Sequence, residues 1–159
     1  MAVPNQSCLA QYKSDGFLVV ENLVSATELT LVRDRMSGIA AGEFPSFPAH
    51  DIEFEPNADG VDTTSTRESH RVRKINRCAE NDDVFMAHAA NLAILDVVSS
   101  LIGPDIKLFG SQCFMKPPGG IEKPYHQDSA YFHIEPKELV TCWTALDDAT
   151  LENGCLCVI

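Results

Sequence analysis

The sequence predicts an α+β fold, with helices in the first part of the chain and a sandwich or barrel of antiparallel strands after them. Apolar residues recur at helical spacing before residue 103, and they alternate with polar residues after Pro104. Turns rich in glycine and proline, such as Pro117-Pro118-Gly119-Gly120, separate the later segments. With 159 residues, of which 45% are hydrophobic and 22% charged, a single domain with one core is expected.

The first 42 residues are predicted to form two helices with one strand between them. A short helix ends at Asp15-Gly16, where glycine can take the left-handed closing conformation, and residues 17–20 follow as a buried strand. Ser25-Ala26-Thr27-Glu28 has the pattern of a capping box, which predicts a second helix to about residue 41. Its apolar stripe consists of Leu29, Val32, Met36 and Ile39.

Residues 43–70 differ in composition from the segments on either side. They contain Pro45, Pro48 and Pro56, several acidic residues and a run of serine and threonine. Such a segment buries too little apolar area to fold alone, so a long loop is expected. A lid over a site and a plain disordered insertion are both open interpretations of this loop.

Residues 71–104 are predicted to form one strand and two helices. In a strand over residues 71–77, Val72 and Lys74 would share a face, and an inward lysine would need an anion beside it. Asp82-Asp83 then begins one helix, and Asn91 caps the next. The apolar stripe of this last helix consists of Leu92, Leu95, Val98 and Ile102.

Four strands are predicted after Gly103-Pro104. They cover about residues 106–116, the segment around His126, residues 139–146 and residues 155–159. In the third of these strands Thr141, Trp143 and Ala145 would share one side. The last strand has nothing after it to pair with, so an incomplete sheet is expected.

His126-Gln127-Asp128 is the strongest candidate for a metal site. Residues two apart in a strand point to the same side, so an imidazole and a carboxylate would converge. They supply two thirds of the 2-His-1-carboxylate set that holds Fe(II) with open positions. An isolated His-x-Asp is more often a simple hydrogen-bonded pair, so this triplet decides little by itself.

Several further motifs occur together with this triplet in one order along the chain. They are residues 15–20, 101–105, 111–120 (SQCFMKPPGG) and 146–156 (LDDATLENGCL), together with Trp143. In residues and order this set resembles the phytanoyl-CoA dioxygenase family over most of the chain.

The resemblance implies a double-stranded β-helix, that is, a cupin-like jelly roll with flanking N-terminal helices, which binds Fe(II) and the co-substrate 2-oxoglutarate. It also implies hydroxylation of a small-molecule or acyl substrate with O₂. By position, His126 and Asp128 would be catalytic iron ligands, and Lys74, Gln112 and Trp143 would bind the co-substrate.

The family's second histidine ligand and its 2-oxoglutarate-binding arginine lie well downstream of the Asn-Gly turn, where this chain has ended. We therefore interpret residues 1–159 as a single domain, the N-terminal part of such an oxygenase. Residues 1–42 would form helices and a first strand, residues 43–70 a loop or lid, and residues 71–159 helices and the β-core. His133, five residues after Asp128, is poorly placed to replace the missing ligand.

Other functions were weighed against the oxygenase. One alternative is an inactive fragment or a non-catalytic jelly-roll binding protein. Another is a zinc module, but the candidate thiols do not have Cys-x-x-Cys spacing and fit buried free cysteines better. These thiols belong to Cys142, Cys155 and Cys157.

Charge and hydropathy restrict the partners. The net charge of −11 argues against nucleic acid, and no stretch is apolar for long enough to span a membrane. Six cysteines without a signal peptide ahead of them indicate reduced thiols and a cytoplasmic location.

Overall fold

The computed structural model describes residues 4–55, 71–136 and 138–159. Within these ranges the chain forms helices, a small sheet and long segments without regular structure. The elements are α1 (Gln6–Asp15), α2 (Ala26–Ala40), β1 (Ile52–Phe54), β2 (Val72–Asn76), α3 (Cys78–Asn81), α4 (Asp83–Ala89), α5 (Leu92–Ile102) and β3 (Gln112–Phe114). Single 3₁₀ turns lie at Ala49–Asp51, Asp128–Ala130 and Leu151–Asn153.

Polar side chains cap the helices that the sequence predicts. The Asn5 side chain accepts a hydrogen bond from a first-turn amide of α1, and Gly16 closes this helix with a φ of 79°. Ser25, Asp82 and Asn91 cap α2, α4 and α5 in the same way. Each oxygen accepts from an amide that has no partner inside its helix, so the predicted helix starts are confirmed.

The three strands form an antiparallel sheet in the order β1-β2-β3. The register between β1 and β2 shifts between Glu53 and Phe54, so β2 has one residue more than its partner there. Such a bulge interrupts the alternation of side chains, and Val72 and Ile75 are both buried, at 1% and 0% exposure. The prediction that Val72 and Lys74 share a face is therefore wrong.

The core lies on one face of this sheet, under α2, α3 and α4. Burying large aliphatic side chains here supplies most of the favourable free energy of folding, roughly 1.5–3 kcal/mol for each fully buried one. The buried cluster consists of Val32, Met36, Ile39, Ala40, Phe47, Val72, Ile75, Cys78, Ala79 and Phe85. Cys113 of β3 packs against it from the edge of the sheet.

The opposite face of the sheet is polar. Lys74 Nζ lies 3.1 Å from Glu53 Oε1, and the Asn76 side chain donates to the same oxygen at 2.7 Å. Phe114 and Gln112 on β3 are exposed. We call this the open face, defined by Glu53, Lys74, Asn76, Gln112 and Phe114.

Several predicted strands are not formed within the described residues. Residues 17–20, 139–146, 155–159 and the segment around His126 have no strand pairing, and only Gln112–Phe114 of residues 106–116 is a strand. A strand needs a hydrogen-bonding partner, and beyond β3 the described residues provide none. The three-stranded sheet agrees with an incomplete sheet, and the jelly roll stays a prediction.

The predicted loop over residues 43–70 is ordered in its first half. Phe47 is buried in the core, and residues 49–54 form a 3₁₀ turn followed by β1. Residues 49–54 therefore differ from the predicted loop, whereas residues 43–48 form no helix or strand, and a role as a lid stays a prediction. Residues 56–70 lie outside the described part of the chain.

The buried face of α5 overlaps only in part with the stripe that the sequence predicts, since Val98 belongs to both. Ile94, Val97 and Val98 are buried, whereas Leu92 is exposed, because the helix packs with its face rotated from the predicted stripe. In the described ranges no single helix is long and apolar enough to cross a membrane. Only α4 and α5 taken together, bent by 47°, reach the required length and composition.

Candidate metal centre

His126 and Asp128 converge as the sequence predicts. His126 Nε2 lies 3.5 Å from Asp128 Oδ1, and both side chains are partly exposed, at 31% and 39%. The residue between them, Gln127, is extended, which turns its two neighbours to the same side. Asp128 then begins a 3₁₀ turn, so the convergence arises at a strand-like residue rather than in a paired strand.

Each member of this pair is held by a second group. His126 Nδ1 lies 2.7 Å from the Pro124 carbonyl oxygen, which can only accept, so Nδ1 carries the proton. In the neutral ring Nε2 then carries the lone pair that a metal ion could bind. Thr141 Oγ1 donates to Asp128 Oδ2 at 2.7 Å, which leaves Oδ1 facing the imidazole.

The two donor atoms fit a divalent metal ion. Bonds of about 2.1 Å at a right angle would place a nitrogen and an oxygen about 3.0 Å apart, so closing the 3.5 Å gap needs only a small movement. An imidazole nitrogen with a carboxylate oxygen suits Fe(II) in a facial set. Among the described residues no group of three metal-binding side chains occurs, and His133 is exposed, so the pair offers two potential ligands.

A small cavity of about 110 Å³ adjoins Asp128. Its walls are mainly apolar, and the Thr141 hydroxyl closes one side. The residues lining it are Asp128, Ser129, Phe132, Ile134, Leu139 and Thr141. A carboxylate at the edge of an apolar hollow is a common arrangement for binding a small molecule.

Lys74 and Gln112 lie on the open face of the sheet. An anion was predicted for an inward-facing Lys74; on the open face Lys74 pairs with Glu53 instead, and the Phe114 ring centroid is 5.7 Å from Lys74 Nζ. The Asn76 hydrogen bond and then the Lys74 ammonium hold the pKa of Glu53 below its usual value. Gln112 is paired in register with Asn76, so the two candidate residues share one polar surface.

Trp143 is 55% exposed and lies in a segment without regular secondary structure, residues 138–146. Thr144 and Leu146 in this segment are partly buried, whereas Cys142 is exposed together with Thr141, Trp143 and Ala145, so the predicted alternation holds only for residues 143–146. Thr141, two residues before Trp143, donates a hydrogen bond to Asp128. In the described residues, no hydrogen bond or ion pair joins Lys74, Gln112 or Trp143 to His126 or Asp128.

The profile of the family described as phytanoyl-CoA dioxygenase (PhyH) matches residues 12–159, almost the whole chain. The chain belongs to the phytanoyl-CoA dioxygenase family. It is 30% identical over 154 residues to the peroxisomal phytanoyl-CoA dioxygenase of Rattus norvegicus and 28% identical over 158 residues to that of Bos taurus. It is also 28% identical over 162 residues to a probable phytanoyl-CoA dioxygenase of Caenorhabditis elegans.

These alignments cover 93% of the chain but only 44%, 44% and 49% of the three relatives. The chain thus spans less than half the length of these three relatives. No solved structure matches it. The family match agrees with the resemblance seen in the sequence, and it places the chain in a family of oxygenases.

Two residues beside His126 and Asp128 were not identified as their partners from the sequence. Thr141 was expected on the side of Trp143, but nothing local connects it to a carboxylate 13 residues earlier. Tyr131 packs edge-on against His126, with ring centroids 5.6 Å apart. Both contacts depend on how segments without regular secondary structure pack against each other. The spacing of residues in the sequence does not indicate this packing.

A network of hydrogen bonds attaches residues 138–146 to helices α2 and α4. His88 Nδ1 lies 2.7 Å from Glu28 Oε1, and His88 Nε2 lies 3.2 Å from Thr144 Oγ1. Asn91 donates to the other Glu28 oxygen at 2.6 Å. One turn further along α2, Arg33 donates to the Leu146 carbonyl. The Glu28 carboxylate of the predicted capping box thus serves tertiary contacts.

The three thiols weighed for a zinc module are not buried. Cys142 and Cys157 are exposed and Cys155 is partly exposed, so the expectation of buried thiols is wrong for these positions. The segments that carry them form no packed strand, which explains their exposure. In the part of the chain that the structure describes, they form no three-ligand group with histidine or carboxylate side chains.

Proposed function

We propose that residues 1–159 carry two of the iron ligands of an Fe(II)- and 2-oxoglutarate-dependent dioxygenase that hydroxylates a small-molecule or acyl substrate. The observation that carries this proposal is the 3.5 Å approach of His126 Nε2 to Asp128 Oδ1. Each side chain is held by a separate partner, which is typical of metal-binding residues. Family membership over residues 12–159 supports the type of reaction.

His126 would bind the ion through the Nε2 lone pair, and Asp128 would bring a negative charge through Oδ1. When bound, Fe(II) together with 2-oxoglutarate supplies the activation of O₂ that oxidation of a C–H bond requires. The third ligand and the arginine for 2-oxoglutarate, both implied by the resemblance, would come from polypeptide outside residues 1–159.

We assign binding of the co-substrate to Lys74, Gln112 and Trp143. Lys74 holds a carboxylate already, that of Glu53, so its environment accepts an anion. Gln112 offers amide donors on the same open face, and Trp143 would form an apolar wall on the side of Asp128. A carboxylate of 2-oxoglutarate would then compete with Glu53 for the ammonium group.

The apolar cavity beside Asp128 supports a substrate with a hydrocarbon portion. Phe132, Ile134 and Leu139 would bind that portion and exclude water from the neighbouring carboxylate. Exclusion of water strengthens the attraction between a metal ion and its charged ligand, because the local dielectric constant falls.

The test is succinate formation by the protein expressed from its complete reading frame, supplied anaerobically with Fe(II) and 2-oxoglutarate and then with O₂. His126→Ala should abolish turnover, since it removes a ligand. Lys74→Met should raise the KM for 2-oxoglutarate. The matched control is His50→Ala, because His50 is an exposed histidine that contacts Arg77. Undiminished succinate formation by the His126 variant would refute the proposal.

A non-catalytic jelly-roll binding protein is the second candidate. It is favoured by one observation, that the described residues bring together two potential ligands and not three. Such a protein would retain a small molecule in the cavity beside Asp128 without consuming 2-oxoglutarate. Substrate-independent succinate formation that depends on His126 would exclude it.

A further inference from the structure

We propose that Thr141 is a positioning residue, which fixes the orientation of the metal-binding carboxylate of Asp128. The inference rests on the proposed function, and it concerns a residue that the family resemblance does not assign. Thr141 Oγ1 donates a 2.7 Å hydrogen bond to Asp128 Oδ2, a short distance for a charge-assisted bond. The other oxygen, Oδ1, is the one that faces His126.

The two oxygens of Asp128 thereby have different tasks. A free carboxylate on a partly exposed residue rotates about its terminal torsion, which is broad and roughly two-fold. A hydrogen bond to Oδ2 opposes this rotation and keeps Oδ1 on the side of His126 Nε2, 3.5 Å away. Orientation of a first ligand by a second residue is a general feature of metal sites.

The threonine side chain is suited to this task. Its branched Cβ restricts the first side-chain torsion, so the hydroxyl has few alternative positions. The segment that carries it is attached to the helices through Thr144 and His88, and through Leu146 and Arg33. The hydroxyl is therefore held from the helical side of the molecule, independently of the turn that carries Asp128.

The experiment measures binding of Co(II) alone to the full chain under anaerobic conditions, by visible absorption and by calorimetry up to millimolar metal. Thr141→Val keeps the shape and removes the donor, so the Kd should rise roughly 10-fold or more and the absorption bands should shift. Thr141→Ser restores a hydroxyl and should bring the Kd to within about 3-fold of the unmodified protein.

Two controls accompany these variants. Thr30→Val removes another threonine hydroxyl, one that donates to the Ala26 carbonyl at 2.9 Å on an exposed part of α2, and should leave the Kd unchanged. His126→Ala should abolish Co(II) binding. Circular dichroism of every variant checks that the helices are retained.

The outcomes separate the two proposals. If Thr141→Val binds Co(II) as the unmodified protein does while His126→Ala does not bind, Thr141 has no positioning role and the proposed function stands. If serine fails to restore the affinity that valine removes, the hydroxyl is not responsible and the inference fails. If His126→Ala leaves Co(II) binding unchanged, the metal centre itself is refuted.

Discussion

Ile75 is the side chain on which the central strand most depends. It lies in β2 at 0% exposure, within the buried cluster to which α2, α3 and α4 contribute. Two residues earlier in the same strand, Arg73 donates a hydrogen bond to the buried carboxylate of Glu55. Lys74 of the open face is its direct neighbour. Ile75→Ala therefore tests whether this core holds the strand that carries a proposed co-substrate residue.

The expected loss of stability follows from the burial of Ile75. The substitution removes three carbon atoms, worth about 0.8 kcal/mol each in transfer free energy, or about 2.4 kcal/mol together. The cavity left in a packed core adds to this, so a total of about 4 kcal/mol is expected. For a chain of this length, the midpoint of thermal unfolding should fall by roughly 8–16 °C.

Urea unfolding followed by circular dichroism measures this change, with the slope of the transition as a check on two-state behaviour. The matched control is Leu31→Ala on α2, where the side chain is 57% exposed and a change within about 0.5 kcal/mol is expected. Equal, small losses for both variants would contradict the assignment of Ile75 to the core.

Three further predictions concern the helices and the thiols. His88→Ala removes the imidazole that connects Glu28 to Thr144, so the free energy of unfolding, measured by urea titration, should fall by about 1–3 kcal/mol. An unchanged unfolding transition would contradict the importance of this contact. The hydrogen bonds from Arg77 hold the pKa of Asp51 in the folded protein below its ordinary value of 3.8. The ionised carboxylate therefore contributes its full stabilisation above pH 3.8, and this contribution is lost as the pH falls through the lowered pKa of the folded state. Asp51→Asn should therefore weaken the acid dependence of unfolding below about pH 5, and an identical dependence would argue against it. Contact with a neighbouring thiol and burial raise the pKa of Cys78, so iodoacetamide should modify it after the exposed cysteines, as mass spectrometry of timed samples would show.

The helices were predictable because their signals are local. Ser25, Asp82 and Asn91 each bind an amide two or three residues away, so the sequence alone indicates where a helix begins. The phase of a buried stripe depends on what packs against it, which is why Leu92 was wrongly assigned to the interior of α5. A stretch of three residues such as β1 carries too little periodicity to be recognised within an acidic segment.

In the candidate site, the contact between residues two positions apart was predictable, whereas contacts between residues distant in the sequence were missed. The approach of His126 to Asp128 needs only an extended residue between them, and this local requirement is met without a paired strand. The contact of Thr141 with Asp128 and the ion pair of Lys74 with Glu53 depend on how distant segments meet. Spacing along the chain says nothing about such meetings.

Helix α2 is connected to the segment with Thr141 and Trp143 at two points. Glu28 acts through His88 of α4, which contacts Thr144, and Arg33 donates to the Leu146 carbonyl and lies 3.1 Å from Asp147 Oδ1. Helix α2 carries neither of the proposed iron ligands, but its contacts restrict which substitutions are tolerated in the segment that reaches Asp128. In natural variants of this chain, a charge change at position 33 should be accompanied by one at position 147, and loss of the acid at position 28 by replacement of the histidine at position 88.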